Sequence, residues 1–381
     1  MSRYRWTILS AGVLAQASYS AILLGLPAVA PEIQHRYDLS LTQVGVVLAA
    51  VNFGSIATLL FWGLAADRIG ERAVIAVGLL GAAGALVIAG FTSSFAGLVL
   101  ALALAGAVGA GTNSASGRAV MSWFGAHERG FALGIRQTAV PLGGAISAGA
   151  LPALATHVSV RSSFFGLAAG CFLAAIVAGF LLRPEPSGEL GEIGRPLRDP
   201  RVWRLCAAST FYVMTQIGIV GFLVLFLREH RGLSTAAAAG TLAGTQVLGG
   251  AARIVVGRWS DRLGRRIVPL RRIAVALALA VALAAALLDA PTWLLLPALI
   301  AAGTLGLSWN GLSFTAAAET AGRARSGAAI GLQQSFLSGG AIVAPIAFAT
   351  IVHHGSWRLA FGLAALSPLV GWAVLAPLRE S

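Results

Sequence analysis

Residues 63–72 read GLAADRIGER, and residues 257–266 read GRWSDRLGRR. The second stretch repeats the first 194 residues later: Gly63, Asp67, Arg68, Gly70 and Arg72 answer Gly257, Asp261, Arg262, Gly264 and Arg266. Each is an island of charge in a 381-residue chain that is 57% hydrophobic and only 11% charged.

Long apolar runs flank both islands. Counting outward gives twelve, at residues 6–30, 42–65, 73–92, 96–122, 129–155, 161–183, 202–227, 236–258, 272–289, 293–318, 326–352 and 358–378, designated spans 1 to 12. Each reaches or approaches the ~20 residues that a helix needs to cross ~30 Å of hydrocarbon. Mean hydropathy is +0.82, in keeping with a membrane protein. The first run is too long for a signal-peptide core and reads as a retained span. Cys171 and Cys206 lie inside spans, so no disulfide framework is expected.

A net charge of +13 would point a soluble protein toward nucleic acid. Here all 27 basic side chains are Arg, and most sit between spans. With the amino terminus in the cytoplasm, nineteen fall on cytoplasmic segments, five lie outside (Arg36, Arg161, Arg228, Arg231 and Arg358) and three lie within spans. The positive-inside rule thus accounts for the charge, and no nucleic-acid partner is expected. The predicted location is the cell (inner) membrane, multi-pass, with both termini cytoplasmic.

The repeat extends beyond the two islands. At an offset of 197, Gly106, Gly109 and Asn113 answer Gly303, Gly306 and Asn310, and Gly134, Gln137 and Gly143 answer Gly331, Gln334 and Gly340. Ser159, Arg161 and Phe164 answer Ser356, Arg358 and Phe361. A repeat of this length predicts two six-helix halves related in parallel fashion, residues 1–183 and 202–381. Residues 184–201 between them are rich in Pro, Gly and charge and read as a cytoplasmic linker.

Twelve spans with a doubled Gly-x-x-x-Asp-Arg-x-Gly-x-Arg loop resemble the major facilitator superfamily over the whole chain. The resemblance implies an all-α membrane protein with twelve transmembrane helices in two parallel-related halves. It also assigns the islands. Gly70 and Gly264 permit tight turns, and Gly63 and Gly257 permit close helix contact. Asp67 and Asp261 are implied to fall near helix ends of the other half, where a carboxylate favours a helix amino terminus and would latch the outward-open state. Gly63, Asp67, Arg68, Gly70, Arg72, Gly257, Asp261, Arg262, Gly264 and Arg266 are accordingly the candidate gating residues. A topogenic Arg cluster is the plainer alternative, and two copies in register argue against it.

Ionisable groups inside spans are costly and mark function. Arg118, Arg136 and Arg253 qualify; no Asp or Glu lies deep in any span. An apolar cleft of one charge sign attracts the opposite ion, so the expected substrate is an anion. Arg253 shares one face of span 8 with Gln246, Gly249, Gly250 and Gly257, and it lies eight residues, ~12 Å of helix, before Asp261. Its position resembles the span-8 Arg of the monocarboxylate, oxalate/formate and nitrate/nitrite branches. It is read as an oxyanion ligand, or else as a snorkelling or gate-paired Arg. Arg136 is read either as a second anion ligand that meets Arg253 across the seam or as a gate partner of Glu128 or Glu319. Arg118, only five residues before Trp123, is expected to snorkel to the cytoplasm. Gln137, Gln333, Gln334, Asn113, Asn310, Gln246, Tyr19 and Tyr212 complete the candidate binding set; each alone is as consistent with a helix–helix hydrogen bond.

Four departures narrow the family reading. The span-4 Arg of many proton-coupled members is replaced near Leu102. The exporter-type Gly-Pro of span 5 is only Val140-Pro141. The oxalate exchanger's Lys has no counterpart in a chain without Lys, and the Gly/Asn-rich nitrate signature is missing. The expected function is secondary active transport of a small, monocarboxylate-like organic anion by alternating access, as symporter or antiporter. Protons or a counter-anion are the coupling partners, and the alternative is an exporter of drugs or other hydrophobic compounds. Neither cofactor nor metal is expected, nor enzymatic activity, since no nucleophile–base pair or phosphate loop stands out. The expected working form is a monomer in the lipid bilayer.

Overall fold

The structure, a computed structural model, describes residues 3–183 and 198–378. Most of the expected linker, 184–201, lies outside the described residues. Every described element is a helix. Eleven helical stretches are long and apolar enough to cross a membrane. The twelfth, expected as span 8, is the helix Thr235–Leu263; at 29 residues it is long enough, but Gln246, Arg253 and many small residues dilute its apolar character. The protein is a multi-pass membrane protein with an all-α fold.

The repeat seen in sequence returns as matched local structure. Ser40 caps span 2 and Ser234 caps span 8, each accepting a hydrogen bond from the backbone N–H three residues on. Ser159 and Ser356 do the same for spans 6 and 12. Each hydroxyl satisfies one of the donors that a helix start leaves free. Spans 4 and 10 are both broken. Phe95–Gly109 is followed by Gly111–Trp123, and Thr292–Ser308 by Asn310–Ala321. Span 1 is longer than its apolar run and bends through a 3-10 turn, Leu26–Val29, at Pro27, whose missing N–H interrupts the helical ladder.

The described residues form two compact units. The first comprises 3–125, 136–183 and 321–335. In it span 3 packs on span 6, span 2 on span 4 and span 1 on span 6, around a core that includes Ile22, Leu79, Leu86, Leu102 and Phe164. The second comprises 126–135, 198–320 and 336–378. Its pairings are the counterparts: span 9 on span 12, span 8 on span 10 and span 7 on span 12, with Phe226, Leu277, Leu299 and Phe361 in the core. Large apolar side chains such as Leu100, Phe180, Val247 and Leu279 remain exposed, as suits surfaces solvated by lipid. The short segments 126–135 and 321–335, which hold the starts of helices Arg129–His157 and Ser326–His354, are grouped with units other than the ones their helices continue into.

Candidate functional site

Arg136 sits in the first unit, one residue before Gln137 on span 5, and is 0% exposed. Its guanidinium is surrounded by acceptors. Nε donates to Ser116 Oγ at 3.1 Å, Nη1 to Gln137 Oε1 at 2.6 Å, and Nη2 to Gln16 Oε1 at 2.9 Å and Asn113 Oδ1 at 2.6 Å. Nη2 also reaches the carbonyl oxygen of Asn113 and Ser116 Oγ. All of these are neutral, and Arg136 makes no ion pair among the described residues. A buried cation so placed keeps its hydrogen bonds and also its unbalanced charge. Gln16, Asn113, Ser116 and Gln137 are themselves buried.

Gln137 and Asn113 were legible as candidates; Gln16 and Ser116 were not singled out. A lone amide inside span 1 was the available signal, because an amide in hydrocarbon needs a partner. Tyr19 is buried elsewhere in the same unit: its hydroxyl shares a 2.5 Å hydrogen bond with Ser55 Oγ and donates to the Gly106 carbonyl at 3.2 Å, tying spans 1, 2 and 4 together. Gln333 is fully buried and Gln334 half-buried in the segment 321–335; neither hydrogen-bonds the Arg136 guanidinium.

In the second unit, Arg253 is 5% exposed and donates from Nε to the Leu307 carbonyl at 2.7 Å. That carbonyl lies at the break in span 10, where the backbone ladder is open. Asn310 Nδ2 donates to Gln216 Oε1 at 3.0 Å, so Gln216 joins this group, another amide that the sequence reading passed over. Trp309, wholly buried, meets Tyr212 edge-on with ring centroids 5.5 Å apart. The Tyr212 hydroxyl is buried without a hydrogen-bond partner among the described residues. Gln246 is half-buried and makes no hydrogen bond among them.

Asp67 and Asp261 have the same geometry in separate units. Asp67 accepts from the backbone N–H groups of Gly327 and Ala328 at 2.9 and 2.8 Å, at the start of helix Ser326–His354. Asp261 accepts from Gly130 and Phe131 at 3.0 and 2.7 Å, at the start of helix Arg129–His157. Each carboxylate satisfies free first-turn donors and meets the positive end of the helix dipole. The approach depends on glycine. A Cβ on Gly63 would lie 2.5 Å from the Gly327 carbonyl oxygen, and one on Gly257 would lie 2.1 Å from that of Gly130. Gly70 and Gly264 take positive φ, 84° and 62°, at the turns that follow. Arg68, Arg72 and Arg262 are exposed.

Arg118 corrects an expectation. It does not snorkel: it is 7% exposed, bonded through Nη1 to Glu71 and 3.4 Å from Asp67. Two carboxylates close at hand outweigh the pull of the aqueous surface. The second unit builds a similar cluster from different positions. There Arg266, which follows span 8, bridges Asp261 at 2.6 Å and Glu319 of helix Asn310–Ala321 at 2.8 Å. Burial opposes the charge on Arg266, but Glu319 and Asp261 outweigh it and hold the guanidinium above its ordinary value. Glu319 also lies 3.6 Å from Arg129. The carboxylate–arginine pair joining the loop to the broken span is thus reversed between the halves: Glu71 with Arg118 in one, Arg266 with Glu319 in the other.

The family model of the Major Facilitator Superfamily matches residues 8–345, most of the chain. The chain belongs to the major facilitator superfamily. As a member it is a membrane transporter and not an enzyme. It is 34% identical over 381 residues to an uncharacterised MFS-type transporter of Mycobacterium tuberculosis, a match covering 98% of this chain and 85% of the relative. It is 27% identical over 384 residues to SauU of Cupriavidus necator, named as a probable sulfoacetate transporter, with 93% and 89% covered. Among solved structures, the Escherichia coli fucose:proton symporter FucP superposes with a TM-score of 0.76 at 17% identity, over 98% of this chain and 100% of that one. This last likeness speaks to the fold alone.

Proposed function

We propose that this transporter carries a small organic anion of the monocarboxylate type, and that Arg136 is the cation that recognises it. One observation carries the reading: Arg136 is wholly buried among four neutral side chains, with no carboxylate among the described residues to balance it. A site of that kind gains most from an incoming oxyanion, which a guanidinium holds through paired hydrogen bonds. Sulfoacetate, the cargo in the name of one relative, is itself a small organic anion. Arg253 is a second candidate ligand, from the second unit, with Asn310 and Gln216 beside the same break in span 10. Gln16, Asn113, Ser116 and Gln137 position the Arg136 fork, and Asp67 and Asp261 act on conformation.

The test is equilibrium binding of a panel of organic anions to the purified protein, read as a rise in thermal midpoint. Arg136→Gln should weaken the best anion roughly ten- to a hundredfold, the ~1.5–3 kcal/mol of a charge-assisted contact. Arg136→Lys should recover only part, because an ammonium lacks the planar fork. Unchanged anion affinity in a folded Arg136→Gln protein would overturn the reading. Tighter binding of neutral or cationic compounds by that variant would favour an exporter of hydrophobic compounds instead.

A further inference from the structure

In the second unit a groove of about 500 Å³ opens between spans 9 and 12, and none of the proposed substrate ligands lines it. Its walls are Val268, Arg271, Arg272, Val275 and Leu279 of helix Ile267–Ala286, and Trp372 of helix Trp357–Leu375. The two ends of the groove differ chemically. At one end Arg271 lies 4.8 Å from the ring centroid of Trp372, and Arg272 lies 5.9 Å from that of Trp259. Neither Arg forms an ion pair or hydrogen bond among the described residues, and the carboxylates Asp261 and Glu319 of the same unit are already engaged by Arg266. At the other end Val275 and Leu279 are 38% and 66% exposed.

Two cations without counter-charge among the described residues, steadied on indole rings, lie in the first turns of a helix whose next turns expose apolar side chains. Trp and Arg at a helix end mark the depth of lipid headgroups. From Val268 to Leu279 the helix rises about 16 Å, close to one leaflet of a ~30 Å hydrocarbon core. We propose that this groove binds one anionic phospholipid. Its headgroup phosphate is held by Arg271 and Arg272, and one acyl chain lies along Val275 and Leu279. The unbalanced charge selects against phosphatidylcholine, whose own ammonium opposes the two guanidinium groups. The apolar length selects against a free phosphate.

The test is native mass spectrometry of the detergent-purified full chain with phosphatidylglycerol or phosphatidylcholine of identical acyl chains. Phosphatidylglycerol should be retained about tenfold better, the scale of one charge-assisted contact. R271Q/R272Q should remove that preference, whereas R3Q/R36Q, which loses the same charge elsewhere, should keep it. L279W, which fills the apolar end and leaves both Arg, should also weaken retention, so the proposal remains testable if the charge variant misfolds. Millimolar inorganic phosphate should not displace the lipid. Equal retention of the two lipids by the natural protein, full retention by R271Q/R272Q, unaltered retention by L279W, or displacement by inorganic phosphate would each overturn the proposal, the last by making the site one for free anions.

Discussion

Arg118 shows what a single side chain does when its partners come from distant sequence. Glu71 is 47 residues away along the chain, so no local rule joins the two, and position alone favoured a route to water. It is buried beside Glu71 and Asp67, so its removal strands the Glu71 carboxylate and takes one partner from Asp67. Arg118→Leu should cost ~3–5 kcal/mol of stability, whereas loss of a snorkelling Arg would cost a few tenths. The double variant Arg118→Leu/Glu71→Leu should be milder than the single. Denaturant-induced unfolding in detergent checks both, and a near-neutral Arg118→Leu would return the residue to the surface. The arginines of the interior were legible in sequence because a cation in an apolar run is conspicuous by its cost. Their partners were not, because Gln16 and Ser116 become acceptors for Arg136 only once spans 1, 4 and 5 pack.

Elements were more legible than contacts. The islands at 63–72 and 257–266 announced two turns with glycine at positive φ, and both are present. The serines at 159 and 356 appeared as a repeat and prove to be caps. The breaks in spans 4 and 10 escaped notice, since the glycines and Asn residues around them read equally well as packing positions. Span 8 is the element whose polarity most exceeds its neighbours', and the same Arg253 that drew attention to it lowers its hydropathy. Close approach at helix starts sets a prediction at this scale. Gly257→Val should destabilise the protein, because the new side chain meets the Gly130 carbonyl. Gly244→Ala on the same helix, where a Cβ meets nothing within 4 Å, should be neutral or slightly stabilising. Thermal midpoints of the two variants would show equal effects if the span-8 glycines were only propensity defects. Asp67→Asn belongs here too: it leaves the proposed substrate groups untouched, so liposome flux should fall far more than equilibrium binding.

For the whole molecule, the excess of Arg on alternate loops makes an orientation testable without knowing the cargo. In a background with Cys171 and Cys206, both buried, replaced by Ser, a cysteine at His230 should react with an impermeant reagent applied to whole cells. One at His127 should react only after the membrane is opened, and the reverse pattern would invert the topology. The setting of Arg136 carries a consequence on this scale as well. Neutral acceptors give up no proton when an anion leaves, so the fixed guanidinium contributes no moving charge of its own. If the cargo is the proposed monoanion, it crosses the membrane voltage with its full charge, about 2.3 kcal/mol for every 100 mV. In a cell that is negative inside, that voltage would drive such an anion outward, and accumulation against it would need a proton in company or another anion in return. The current per molecule carried, measured in liposomes at an imposed potential, therefore counts the charge of whatever travels with it.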